Sequence, residues 1–257
     1  MAAGTLTAIA GNTVREALRN RVLYTLVFFA VLLIGSGVLL ATLSYVERER
    51  ILQDVGLEAI RFFGATIAIF VGVGLIHKEV ERRTVYTILS KPVSRGEFIL
   101  GKYAGLVATV WLQVTVMATA FAAVVLLAGV SLSFAHLAAL LLTALELALL
   151  VAVATFFSAF TTPMLAACFT LGSYMLGHLS RDLREIGAAS DSAAVERATA
   201  ALSWILPDLD SFNLTIQAVH GLPIAVHELA VPALYGVGYA GLLLLAAVFL
   251  FERRDLR

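Results

Sequence analysis

Cysteine is nearly absent. The one residue of this kind, Cys168, lies inside an apolar run, which excludes an intramolecular disulfide framework and leaves the thiol a small packing group. Charge is scarce too: 14% of residues are charged and 60% are hydrophobic, whereas soluble domains carry about 25% and 45–50%. With a mean hydropathy of +0.93, these proportions exclude an ordinary soluble domain and define an integral membrane protein. Paired metal ligands are missing as well. The five histidines, His77, His136, His178, His220 and His227, contain no i, i+4 pair, so interfacial placement is the expected account of each and no metal site is assigned. No spacing offers a Ser-His-Asp or Cys-His set, so no catalytic residue is named and the chain is not expected to be an enzyme. No nucleic-acid partner is expected. A cleavable leader is not expected either, because about twenty mixed residues precede the first apolar run and that run is too long for an h-region.

What the chain has is long apolar runs. An all-α polytopic fold follows, one transmembrane domain over 1–257 with spans near 22–43, 57–76, 103–130, 137–160, 163–179 and 229–251, each at or near the ~20 residues needed to cross a ~30 Å hydrocarbon core. The third is long enough to tilt or project beyond the bilayer. The fifth is short and opens on Thr161-Thr162-Pro163, with proline suited to the first helical position. Residues 5–21 place Leu6, Ile9, Val14 and Leu18 at helical spacing, with Arg15, Glu16, Arg19 and Arg21 around the rest of the wheel, which predicts an interfacial amphipathic helix. Between the last two spans, 180–228 is a long loop in which 192–206 and 214–220 read as short helices. Trp204, Ile205, Leu206, Phe212 and Ile216 there are too apolar for a solvated loop, and either dip into the outer leaflet or pack as a small cap. Asn213-Leu214-Thr215 fits a glycosylation sequon with nothing to place it in a secretory context.

Lys and Arg set the orientation. With both termini inside, the inner segments hold Arg15, Arg19, Arg21, Lys78, Arg82, Arg83, Lys91, Arg95, Lys102, Arg253, Arg254 and Arg257. The outer ones hold Arg48, Arg50, Arg61, Arg181, Arg184 and Arg197, a two-to-one bias toward the cytoplasm.

The charged stretch 77–102, HKEVERRTVYTILSKPVSRGEFILGK, stands apart from its surroundings. Its first half, 78–90, combines helix-forming charges with an apolar set at Val80, Val85, Ile88 and Leu89. Pro92 stops that helix near Lys91. Ser94 and Glu97 then form a capping box that starts the next helix, giving a polar helix joined through a tight corner to the third span. GEFILGK at 96–102 fits the first seven positions of a P-loop, but Tyr103 stands where Ser or Thr should hold magnesium, and Phe98, Ile99 and Leu100 continue a capped helix. Gly101 and Gly105 instead form a small-xxx-small pair that admits a neighbouring helix. Inside the fourth span, Glu146 is costly enough to be a functional suspect, with Arg61 near the outer end of the second span as its possible partner. A cargo-facing carboxylate and a protonated acid hydrogen-bonded to a neighbouring helix are the other accounts of Glu146.

Three stretches carry a resemblance: REALRNRVLYTL near the start, EVERRTVYTILSKPVSRGEFILGKYAGL after the second span, and LPDLDSFN before the last. Together they resemble the permease subunit of type-2 ATP-binding-cassette exporters, in the branch of multicopper-enzyme maturation permeases that includes the nitrous-oxide-reductase maturation permease. The resemblance implies that 77–102 is a cytoplasmic coupling region docking into a separate ATPase subunit. Glu79, Glu81, Arg82, Arg83, Thr84 and Leu89 would be the docking contacts and Pro92, Ser94 and Glu97 the coupling corner. It also implies ATP and magnesium on that partner with no cofactor bound directly, a dimer with itself or a paralogue, and export or extraction from a prokaryotic inner membrane. No Met- or Cys-rich cluster commends copper as cargo. A non-transporting anchor or assembly protein using the same docking stretch, and an ion-coupled secondary transporter built on Glu146, are the alternative functions.

Overall fold

The computed structural model describes residues 2–42, 47–81, 94–190 and 192–253. Helix is the only regular structure among them: α1 (Ala2–Leu18), α2 (Arg21–Ala41), α3 (Arg48–Glu81), α4 (Arg95–Leu127), α5 (Phe134–Phe160), α6 (Pro163–His178), α7 (Ser180–Ala188), α8 (Ala193–Ile205), a 3₁₀ turn (Asp210–Phe212), α9 (Thr215–His220) and α10 (Val226–Arg253). Among the described residues five helices are long and apolar enough to cross a membrane: Arg21–Ala41, Arg48–Gly74, Gly96–Leu127, Phe134–Phe160 and Val226–Phe251. The segment expected to cross at 163–179 forms a helix of 16 residues, about 24 Å long, short of the ~30 Å core. It ends at Leu179, where the polar sequence of α7 begins.

α5 is the centre of the bundle. Some 72% of its apolar window is buried, against 22% for α2 and 28% for α10. Those two instead expose Phe28, Phe29, Leu39, Leu242, Leu245 and Phe249, side chains that belong against lipid. α2 buries one stripe, Leu23, Ala30, Ile34, Gly37 and Ala41, and Leu52 and Val55 of α3 lie against the glycine. α3 approaches α4 and α5 through glycines. A Cβ on Gly56 would overlap the ring of Phe121, one on Gly64 would sit 2.5 Å from Leu147 Cδ1, and one on Gly72 would sit 2.5 Å from Ala154 Cβ. Such backbone-level approach is how helices associate where lipid removes the hydrophobic drive between them.

α3 is also longer than its expected span. Its 34 residues make a rod of about 51 Å, so the residues from His77 to Glu81 continue the helix instead of opening a separate one. The start of the charged stretch 77–102 is thus the end of a long apolar helix. α4, 33 residues and about 50 Å, projects as expected from its length.

α1 packs on the bundle most deeply through Thr13 and Ala17, both at 0% exposure, with Leu6, Ile9, Val14 and Leu18 half-buried. The reason lies on α4. A Cβ on Gly101 would come 2.9 Å from Ile9 Cβ, and one on Gly105 would come 2.6 Å from Thr13 Cβ and 2.7 Å from the Ala10 carbonyl. The glycine pair is therefore a seat for α1, filled by Ile9, Ala10 and Thr13. Lys102, 2% exposed, lies beside the seat with Nζ 3.7 Å from Glu16 Oε2. α2 begins just after, capped by Asn20, whose side chain accepts the Val22 amide at 3.1 Å.

Candidate functional site

The turn into α4 begins with a local interaction. Ser94 Oγ accepts the Glu97 amide at 3.1 Å, and Glu97 Oε2 accepts the Ser94 amide at 3.0 Å. This satisfies orphan donors at the start of α4 and fixes where the helix begins. Two turns on, the Gly101 and Gly105 seat binds α1. On the other side Phe98 stacks on Phe251 of α10 at 6.3 Å with planes 20° apart. The foot of α4 therefore joins the N-terminal helix to the last one. Glu79 and Glu81 fall in the final turn of α3, whereas Arg82, Arg83, Thr84, Leu89 and Pro92 lie outside the described residues.

A second cluster occupies the end of the bundle shared with α7 to α9. Glu146, fully buried on α5, has Oε2 3.5 Å from Arg61 Nε on α3 and Oε1 3.3 Å from His178 Nε2 on α6. Among the described residues neither Glu146 oxygen receives a hydrogen bond, so charge more than directed bonding holds the group. His178 contributes charge only when protonated, and Tyr174 packs on its ring at 4.6 Å. The Arg61 fork is shared: Nη1 donates to Glu58 Oε1 at 3.2 Å and Nη2 to Asn213 Oδ1 at 2.8 Å. Asn213 Oδ1 also accepts the Thr215 amide at 3.0 Å, and Thr215 Oγ1 donates to Glu58 Oε1 at 3.2 Å. One guanidinium thus ties the second span, the fourth, and the segment leading to α9.

The sequence LPDLDSFN builds the outer wall of this cluster. The Leu209 amide donates to the Gly177 carbonyl at 3.2 Å, and a Cβ on Gly177 would meet the Pro207 carbonyl at 2.7 Å, so only glycine lets the strand of chain lie on α6. The Asp208 amide donates to Tyr235 Oη at 3.0 Å and Asp208 Oδ1 accepts from Ser180 Oγ at 3.0 Å. Phe212, fully buried, packs on Tyr235 of α10 at 6.5 Å and closes over Gly236. α9 then ends at Gly221, whose φ of +63° is the left-handed geometry glycine adopts freely at a helix end.

Sequence reasoning named Arg61 and Glu146 and the structure brings them together. It missed His178, Glu58, Asn213 and Thr215. Glu58 stands one turn before Arg61, a spacing that signals an ion pair and was legible. His178 and Asn213 come from elsewhere in the chain, and no local pattern marks them. Asn213, in the sequon, is here a ligand of the arginine.

Helices that face lipid on their flanks and hide charge along their centre define a multi-pass membrane protein. The description of the ABC-2 family transporter protein matches residues 7–256, nearly the whole chain, and the protein belongs to that family. It is therefore the membrane-embedded permease type of an ATP-binding-cassette transporter, a family that normally partners with an ATP-binding-cassette ATPase. The comparison with curated proteins returns no matching relative.

Proposed function

We propose that this chain couples ATP hydrolysis by a separate cytoplasmic ATPase subunit to export or extraction of a substrate, with the stretch before Pro92 as the docking lever. The family match over residues 7–256 carries the reading. The architecture around the lever supports it: α3 runs unbroken into Glu81 and α4 restarts under a capping box at Ser94, so a push on 82–93 acts on two long helices at once. Docking would fall to Glu79, Glu81, Arg82, Arg83, Thr84 and Leu89, with ATP and magnesium held by the partner and no cofactor on this chain. The permease would work as a dimer with itself or a paralogue in a prokaryotic inner membrane.

In this reading the chain crosses six times, with α6 completing the short crossing, and both termini are cytoplasmic, as the twofold Lys and Arg bias requires. α1 would rest at the inner interface against its seat on α4. The three resembling stretches favour the maturation-permease branch. Neither the anchor nor the Glu146-driven secondary transporter draws support from the family match.

The test is Arg82→Glu/Arg83→Glu. Reversing both charges should cut co-purification of the ATPase encoded beside this gene by about tenfold or more while membrane insertion persists. Undiminished association rules out the lever.

A further inference from the structure

Between the α7–α8 hairpin and α10 lies a cleft of about 610 Å³, within the range of about 300–1,000 Å³ typical of small-molecule sites. Its walls are chemically mixed. Tyr235 and Tyr239 of α10 line one side, their rings 5.7 Å apart and tilted 44°. Both hydroxyls are already engaged, Tyr235 Oη accepting the Asp208 amide at 3.0 Å and Tyr239 Oη donating to the Ile205 carbonyl at 2.6 Å. Both rings also offer a ligand their faces, the surface that attracts cations. Asp208 and Glu196 add two carboxylates to the same lining. Arg184 adds one guanidinium, which donates to the Ser203 carbonyl over a long 3.4 Å.

Aromatic faces beside carboxylates select an ammonium, and a guanidinium selects a phosphate. A ligand carrying both at short separation satisfies all five side chains. The surroundings indicate what else it carries. The same two helices carry exposed apolar side chains, Leu202 and Ile205 on α8 and Leu234 and Leu242 on α10, and α10 is one of the lipid-facing helices. We propose that the cleft binds the head group of a zwitterionic phospholipid, with ammonium against Tyr235, Tyr239 and Glu196, phosphate against Arg184, and acyl chains along the exposed leucines. This deepens the permease reading by naming a substrate class, and rests on it for the outer leaflet that the cleft meets.

The permease, purified in detergent without any ATPase, is offered equal amounts of phosphatidylethanolamine and phosphatidylglycerol of matched chains, and retained lipid is counted by native mass spectrometry. Wild type should retain the ethanolamine lipid about tenfold over the glycerol lipid, the ratio that a cation–π contact with a nearby carboxylate supplies. Glu196→Gln should bring the two lipids close to parity, and Arg184→Gln should lower retention of both. Soluble phosphoethanolamine at equal concentration should leave the lipid in place. Equal retention by wild type, a ratio unmoved by Glu196→Gln, or displacement by the soluble compound each overturns the proposal. With no ATPase in the sample, a negative result leaves the docking lever standing, and a failed Arg82/Arg83 experiment leaves this result untouched.

Discussion

Arg61 and Glu146 meet inside the helical bundle, Nε to Oε2 at 3.5 Å, with side chains 5% and 0% exposed. Removing two charges from water is repaid only if each keeps its partner, and here the arginine has further acceptors in Glu58 and Asn213 while the glutamate has Arg61 and His178.

Arg61→Ala leaves Glu146 without its strongest partner and should destabilise the detergent-solubilised protein by about 3–5 kcal/mol. Glu146→Gln should cost less, because the amide keeps the shape of the side chain. Arg61→Ala/Glu146→Gln should recover part of the loss. Thermal unfolding of the four proteins as a double-mutant cycle reads the coupling. Additive effects would mean that the two groups do not act as a pair. Transport measured in Glu146→Gln separates a structural from a cargo-facing carboxylate: activity retained with normal assembly means structure, and activity lost with normal assembly means function.

The seat of α1 gives a second expectation. Gly105→Leu forces side-chain atoms into the space held by Thr13 and the Ala10 carbonyl, and overpacking of this kind costs about 1–3 kcal/mol. In a Cys168→Ala background, Ile9→Cys and Gly101→Cys should cross-link readily, because a Cβ at position 101 comes 2.9 Å from Ile9 Cβ, close to the ~3.8 Å between the Cβ atoms of a disulfide. Adding Gly105→Leu should abolish that cross-link. Undiminished cross-linking would show that α1 is held elsewhere.

The cap at Ser94 is testable by amide exchange. Ser94→Ala removes one bond of the box and should cost about 1 kcal/mol, speeding hydrogen exchange at the first amides of α4 about fivefold, while Ser94→Asp should keep most of the protection. If the cap also transmits force, Ser94→Ala should lower transport more than it lowers ATPase association. Equal losses in both would confine its role to docking.

Much of this was legible because membrane helices and caps write local signals. The runs at 22–43 and 137–160, the box at Ser94 and Glu97, and the short helices near 192–206 and 214–220 each depend on neighbours in sequence. Gly101 and Gly105 showed that a helix could approach, but not that α1 was the helix. α3 runs past its expected end because Lys78, Glu79 and Glu81 are also good helix formers. The buried cluster was half legible. A carboxylate in an apolar run announces itself by cost, whereas His178 and Asn213 gain their roles only from folding. Residues 82–93, where most of the docking contacts were expected, lie outside the described residues.

The glycines of α3 carry a mechanical corollary. Gly56 faces Phe121 while Gly64 and Gly72 face Leu147 and Ala154, so the rod is keyed on two flanks like a shaft in a slotted hub. Turning it about its long axis, or sliding it by one turn to bring Leu52 or Ile60 opposite Phe121, would drive side chains together. Probes of this helix in action should therefore find Arg61 travelling with Phe121 and Leu147 as one body.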